Sequence, residues 1–270
     1  MKITFIGGGN MANALIGGLL RQGFSPADIA VVEPLAENRE RLADAFGVAC
    51  LPDPSASVLD CDVLVLSVKP QQMREALAPL AGRLAGQLVV SIAAGMRLTD
   101  ISRWLGGYAK LVRTMPNTPA LIGAGITGLY ADPSIGEEAR RQAERILGAV
   151  GKTLWIADEA LLDAVTAVSA SGPAYVFYFI ESLRDAACAL GFSEEQARLL
   201  AIDTVVGAAA LAANSAEDVA VLRQRVTSKG GTTEAALNSL NADDFKAAIL
   251  RAVRAAAARG REMGDLLGKD

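Results

Sequence analysis

Two short stretches of this chain combine glycine with the start of a helix, the local design that presents free backbone N–H groups and a positive dipole end to an anion. The first, "FIGGGNMANAL", places Gly7, Gly9 and Ala12 in a G-x-G-x-x-A spacing, with Asn10 and Met11 opening the helix. The second, "RVTSKGGTTEAALNSL" (225–240), sets Ser228, Gly230, Gly231, Thr232 and Thr233 ahead of an apolar-periodic run. Each is a candidate anion cradle, and they lie more than half the chain apart.

The first cradle has the surroundings that a dinucleotide needs. It follows an apolar strand pattern and opens a helix. Glu33 ends the next strand pattern about 20 residues beyond the fingerprint, where an acid accepts from a ribose hydroxyl. Glu33 on its own favours NAD and would repel a 2′-phosphate, while Arg39 and Arg41 lie close in sequence. The choice between NADH and NADPH therefore stays open. Ligands in such sheets lie beyond the carboxyl ends of the strands. Three loops are expected there, after the runs "DVLVLSV", "LVVSIAA" and "KLVRTMP": "SVKPQ" (67–71), "AAGM" (93–96) and "TMPNTP" (114–119). They nominate Ser67, Val68, Lys69, Pro70, Ala93, Ala94, Gly95 and Asn117 for the cofactor. Lys69 is the one cation among them, and the small Ala93, Ala94 and Gly95 leave room for a flat ring.

What the chain lacks narrows the chemistry. It has no histidine. There is no Tyr-x-x-x-Lys pair and no lysine between Lys152 and Lys229, so the usual acids for carbonyl reduction are missing. An iminium carbon is already polarised, and hydride addition to it gives a neutral amine with no alkoxide to protonate. A C=N substrate suits such a pocket better than C=O. No cysteine or histidine spacing suggests a metal, and no serine has an identifiable base.

The elements that must carry these loops are legible. "KITFI", "DIAVVE", "DVLVLSV", "LVVSIAA", "KLVRTMP", "GITGLYA" and "KTLWIA" are short apolar runs separated by helical patterns. That alternation predicts a mostly parallel sheet with βαβ crossovers. From residue 158 onward strand signals stop and the chain becomes rich in alanine and leucine at helical spacing. The expected organisation is a dinucleotide-binding domain over 1–157 and an all-helical substrate and dimerisation domain over 158–270. Ser193 before Glu194 and Glu195 reads as a helix N-cap. The uncharged run 164–180 is too short and too interrupted for a membrane span and is expected as a buried helix pair, with a subunit contact as one place for it. With many alanines and few aromatics the helical half would make a thin core alone, so packing against a second copy is expected.

Composition excludes other partners. Lys+Arg 26 against Asp+Glu 30 gives a net charge of −4, which argues against nucleic acid. Arg251, Arg254, Arg259 and Arg261 are expected as a solvated helix face. Cys50, Cys61 and Cys188 form no C-x-x-C pair, and "MKITFIGGG" is too short for a signal peptide; a reducing, cytoplasmic setting is expected.

Five motifs, "GGGNMA", "VKPQ", "RTMPNTPA", "AVSASGPAYVF" and "VTSKGGTTEAAL", stand in an order that resembles the pyrroline-5-carboxylate reductases along essentially the whole chain. Ala170 departs from the glycine usual in that family's "SGSGPAY". The resemblance implies a Rossmann domain followed by an interleaving helical dimerisation domain, often assembled to a decamer. It implies NADPH- or NADH-dependent reduction of 1-pyrroline-5-carboxylate to L-proline. It also assigns the substrate carboxylate to the N–H groups of Gly230, Gly231 and Thr232 with help from Ser228. Thr233 becomes the catalytic threonine, whose hydroxyl contacts the ring nitrogen.

Overall fold

The computed structural model describes residues 1–54 and 59–269. Eight strands form one sheet: β1 (Ile3–Ile6), β2 (Ile29–Val32), β3 (Ala49–Leu51), β4 (Val63–Leu66), β5 (Leu88–Ser91), β6 (Leu111–Met115), β7 (Gly125–Ala131) and β8 (Gly151–Trp155). Their spatial order is β3-β2-β1-β4-β5-β6-β7-β8, and every neighbouring pair is parallel except β6 with β7. The chain reverses direction across the sheet between β1 and β4, which is the switch point where open α/β sheets bind ligands.

The alternation of side chains explains why these runs are mostly apolar, with Thr4, Ser91, Arg113 and Thr114 as buried exceptions. In β1, Ile3 and Phe5 join the core with α1 (Asn10–Arg21) and α5 (Glu137–Leu147), whereas Ile6 joins the opposite core with α3 (Met73–Leu77) and α4 (Leu98–Trp104). β4 divides in the same way, Val63 and Val65 against Leu64 and Leu66. With both faces covered, no position on a central strand can be polar without cost. The polar helix α2 (Ala36–Phe46) touches the core chiefly through Leu42.

The helical remainder comprises α6 (Leu161–Val165), a π-helical turn Thr166–Ala170, α7 (Gly172–Ala189), α8 (Glu194–Asn214), α9 (Val219–Arg225), α10 (Thr232–Ala242) and α11 (Phe245–Leu267). Ser193 caps α8 as expected: its Oγ accepts from Gln196 N at 3.3 Å, and Gln196 Oε1 accepts from Ser193 N at 3.1 Å. All four arginines of the expected face, Arg251, Arg254, Arg259 and Arg261, are exposed.

Two expectations need correction. β3 is a strand for which the apolar pattern offered no segment; it is three residues long at the sheet edge, with none fully buried. The run 164–180 is not a buried helix pair, because α7 has no buried residue and Phe177 and Tyr178 are 65% and 73% exposed in the single chain. By compactness the described residues fall into two units. One unit is Met1–Ser171 with Ala256–Asp270, and the other is Gly172–Ala255. α6 packs on β6 and β7, and the end of α11 returns to the sheet unit.

Candidate active site

In the sheet unit the glycine turn sits between the ends of β1 and β4. Gly7 has φ +104°, and a Cβ there would lie 2.9 Å from the backbone of Ser67, so only glycine fits. Ser67 secures the crossing: its Oγ donates to Gly7 O at 2.7 Å, and its N–H donates to Ile6 O at 2.9 Å. Gly8, which sequence reasoning passed over, is pressed against Leu42. A Cβ on Gly9 would meet nothing within 4 Å, so the turn is open on its outer side. α1 begins there with no side-chain cap and no acid in its first turn. Ala12 is fully buried against the sheet. An uncapped helix start facing open space, with Asn10 and Met11 in its first turn, fits the pyrophosphate of a dinucleotide.

Glu33 is 7% exposed and turned inward. One carboxylate oxygen accepts from Gly8 N at 2.9 Å and the other from Leu35 N at 3.0 Å. The expected ribose acceptor is thus engaged as a brace for the glycine turn. Arg39 Nη1 donates to the carbonyls of Glu33 and Pro34 at 2.8 and 2.7 Å, and Arg41 Nη2 reaches Gly8 O at 3.4 Å. Two guanidinium groups therefore lie along the edge of the turn, as their spacing in sequence hinted.

The three loops expected to complete this site do follow β4, β5 and β6. Val68 packs against Gly7 and Lys69 is exposed just ahead of Pro70, which starts a 3₁₀ turn. Ala93 and Gly95 are buried and Ala94 half-buried. Asn117 is occupied internally: its Nδ2 donates to Ser169 O and Oγ, both at 3.3 Å, and its Oδ1 accepts from Ile126 N at 2.9 Å. It ties the β6–β7 loop to the π-helical turn. Sequence reasoning missed Ser169 and the charged group behind it. Arg113, 4% exposed on β6, pairs with Glu159 and Asp163, each at 3.1 Å. Glu159 Oε1 also accepts from Leu98 N at 2.8 Å, the first N–H of α4. Partners 46 and 50 residues away leave no mark in a local pattern.

In the helical unit the second turn has the expected form with one difference. Gly230 has φ +72° and Gly231 is the N-cap of α10, which has no side-chain cap. Ser228 folds over Gly231, leaving no space for a Cβ there. The Gly231 N–H donates to Ser228 O at 3.0 Å, and the Gly230 N–H donates to Glu234 Oε2 at 2.7 Å. Two of the three N–H groups assigned to a ligand carboxylate thus have internal partners, whereas that of Thr232 opens the helix, where no intrahelical acceptor exists. Thr233 follows, half-buried, in the same turn.

The strand order, the switch point and the uncapped glycine turn define the class: a protein with a Rossmann-type dinucleotide-binding unit. The chain is 46% identical to the pyrroline-5-carboxylate reductase of Pseudomonas aeruginosa over 269 residues, covering 99% of this chain and 98% of that one. It therefore belongs to the pyrroline-5-carboxylate reductase family. Family models agree by region: "Pyrroline-5-carboxylate reductase dimerisation" matches residues 159–263 and "NADP oxidoreductase coenzyme F420-dependent" matches 2–95. A solved pyrroline-5-carboxylate reductase from Coxiella burnetii has a TM-score of 0.92 at 39% identity, covering 97% of this chain and 98% of that one. The Plasmodium falciparum enzyme, solved with NADP bound, has a TM-score of 0.86 at 29% identity, covering 98% of each chain.

Proposed function

We propose that this protein reduces the C=N bond of 1-pyrroline-5-carboxylate to L-proline, the closing step of proline biosynthesis, with NADPH or NADH as the reductant. The observation that carries the reading is the second glycine turn, an anion cradle with hydroxyls beside it in a chain without histidine. Its full-length similarity to reductases of that name supports the assignment.

The cofactor, when bound, supplies a hydride and leaves as the oxidised nicotinamide. Gly7, Gly9, Asn10, Met11 and Ala12 hold the pyrophosphate at the start of α1. Ser67, Val68, Lys69 and Pro70 line the neighbouring loop, and Ala93, Ala94 and Gly95 give the nicotinamide a shelf of backbone and methyl groups. Glu33 and Asn117 contribute by bracing these loops. Ser228, Gly230, Gly231 and Thr232 receive the substrate carboxylate, and the Glu234 carboxylate yields the Gly230 N–H when it arrives. Thr233 orients the ring nitrogen.

The electron count needs no further acid. The protonated imine carries its N–H proton in; the hydride adds to carbon, and the π pair moves to nitrogen to give a neutral secondary amine. The protein's task is placement, which contributes on the order of 7 kcal/mol or more for well-oriented partners. A hydrogen bond from the iminium N–H to the Thr233 hydroxyl oxygen is worth about 1.5–3 kcal/mol in comparison.

The functional domains divide near 157/158, with the helical part serving dimerisation as its family model describes. The exposed aromatics of α7 and the apolar α8, long enough to cross a membrane by length and composition, are faces for a second copy. Dimers assembling into a decamer in the cytoplasm complete the proposal.

A substrate panel tests it. 1-Pyrroline-5-carboxylate should turn over, and 1-pyrroline, which lacks the carboxylate, should do so poorly. Preferential turnover of a 2-ketoacid would favour a hydroxyacid or ketoacid reductase on the same scaffold.

A further inference from the structure

The last turns of α11 come back to the sheet unit and seat on the loop after β5. Helix and loop approach each other as bare backbone. A Cβ built on Gly264 would lie 2.9 Å from the Gly95 carbonyl oxygen, an atom that cannot swing aside. Gly95 has φ +75°, and a Cβ there would meet Gly264 N at 3.5 Å. Charged groups flank this contact. Asp265 pairs with Arg97, and Arg103 Nη2 donates to Gly268 O at 2.7 Å. Leu267 packs with the apolar cluster that contains Met96 and Leu98. From the other side the loop is pinned by Glu159, which takes the Leu98 N–H and is itself held by Arg113.

We propose that the end of α11 is a positioning element for the dinucleotide, and that the absence of a side chain at Gly264 sets the height of the Ala93–Gly95 shelf. The proposal rests on the reading of that loop as the nicotinamide shelf. Its physical basis is that a shelf made of backbone and methyl groups has no side chain with which to adjust. Its position is inherited from what lies beneath it. Arg113 and Glu159 fix one end, and Gly264 fixes the depth.

The test is NADPH titration of the full chain, by binding in the absence of imine and by steady-state kinetics. Gly264→Ala should raise both Kd and KM for NADPH about tenfold, which is about 1.4 kcal/mol of lost binding. KM for the imine and subunit count should stay at the parent values. Asp265→Lys, an exposed change that spares the packing, should act in the same direction by about threefold, as expected for a surface pair. It decides the matter should Gly264→Ala fail to fold. NADPH affinity within experimental error of the parent in the folded variants overturns the proposal. Ala94→Leu separates this from the underlying reading. If Ala94→Leu weakens NADPH and the α11 variants do not, the shelf stands and the α11 role falls. If Ala94→Leu has no effect, the shelf assignment falls and this proposal with it.

Discussion

The carboxylate of Glu234 occupies the second glycine turn, accepting the N–H of Gly230 at 2.7 Å. A side chain of the protein thus takes a place at the very cradle assigned to the substrate carboxylate. The same contact that shapes the turn also sets a negative charge beside an incoming anion.

Glu234→Gln should therefore separate the two effects. The amide oxygen keeps an acceptor for Gly230 while the charge is lost. Relief of like-charge repulsion near a helix start is worth about 0.3–1 kcal/mol, so KM for 1-pyrroline-5-carboxylate should fall about two- to fivefold. Steady-state kinetics at saturating NADPH checks this; a raised KM would show that the carboxylate helps rather than opposes the substrate.

Thr233→Ala should lower kcat/KM for the imine by about one to two decades, the value of one hydrogen bond to a charged group. Thr233→Ser should recover most of the loss, because the hydroxyl is retained. An unchanged kcat/KM in the alanine variant would remove Thr233 from the site.

Gly7→Ala places a Cβ 2.9 Å from the Ser67 backbone in a left-handed conformation. Strain of about 1–3 kcal/mol follows. It should appear as more than tenfold weaker NADPH binding, with dimerisation unaffected, because Gly7 lies in the sheet unit outside the region matched by the dimerisation family. Titration with NADPH alongside sedimentation measures both.

Arg113→Met removes the only cation that the structure gives to Glu159 and Asp163 by ion pairing among the described residues. Breaking a buried charged group leaves its partners uncompensated, at a cost of about 3–5 kcal/mol. Chemical denaturation should show that loss. A double change that also neutralises both acids, Glu159→Gln with Asp163→Asn, should recover part of it.

Legibility followed the range of each interaction. The turns at Gly7 and Gly230 are written locally, since glycine, hydroxyl and helix period stand side by side, and both were read correctly as turns that open helices. The central strands were legible because burial on both faces makes most of their residues apolar. β3 was not, since three half-exposed residues at an edge carry no such pattern. Glu33 was found by position, but its inward turn depends on Gly8 and Leu35 folding around it. The group of Arg113, Glu159 and Asp163 and the return of α11 to Gly95 connect distant segments, so neither composition nor periodicity records them. The uncharged run 164–180 was read as buried for a sound reason, its lack of charge, but the single chain leaves α7 uncovered and its family model is one of dimerisation.

In the proposed reaction hydride reaches a carbon doubly bonded to nitrogen in a carboxylate-bearing ring. The most direct measurement incubates the purified chain with 1-pyrroline-5-carboxylate and either NADPH or NADH, and follows nicotinamide absorbance together with L-proline. Equal amounts of proline formed and nicotinamide oxidised are expected with at least one of the two cofactors. Absence of oxidation with both, or oxidation without proline, would contradict the proposed reaction.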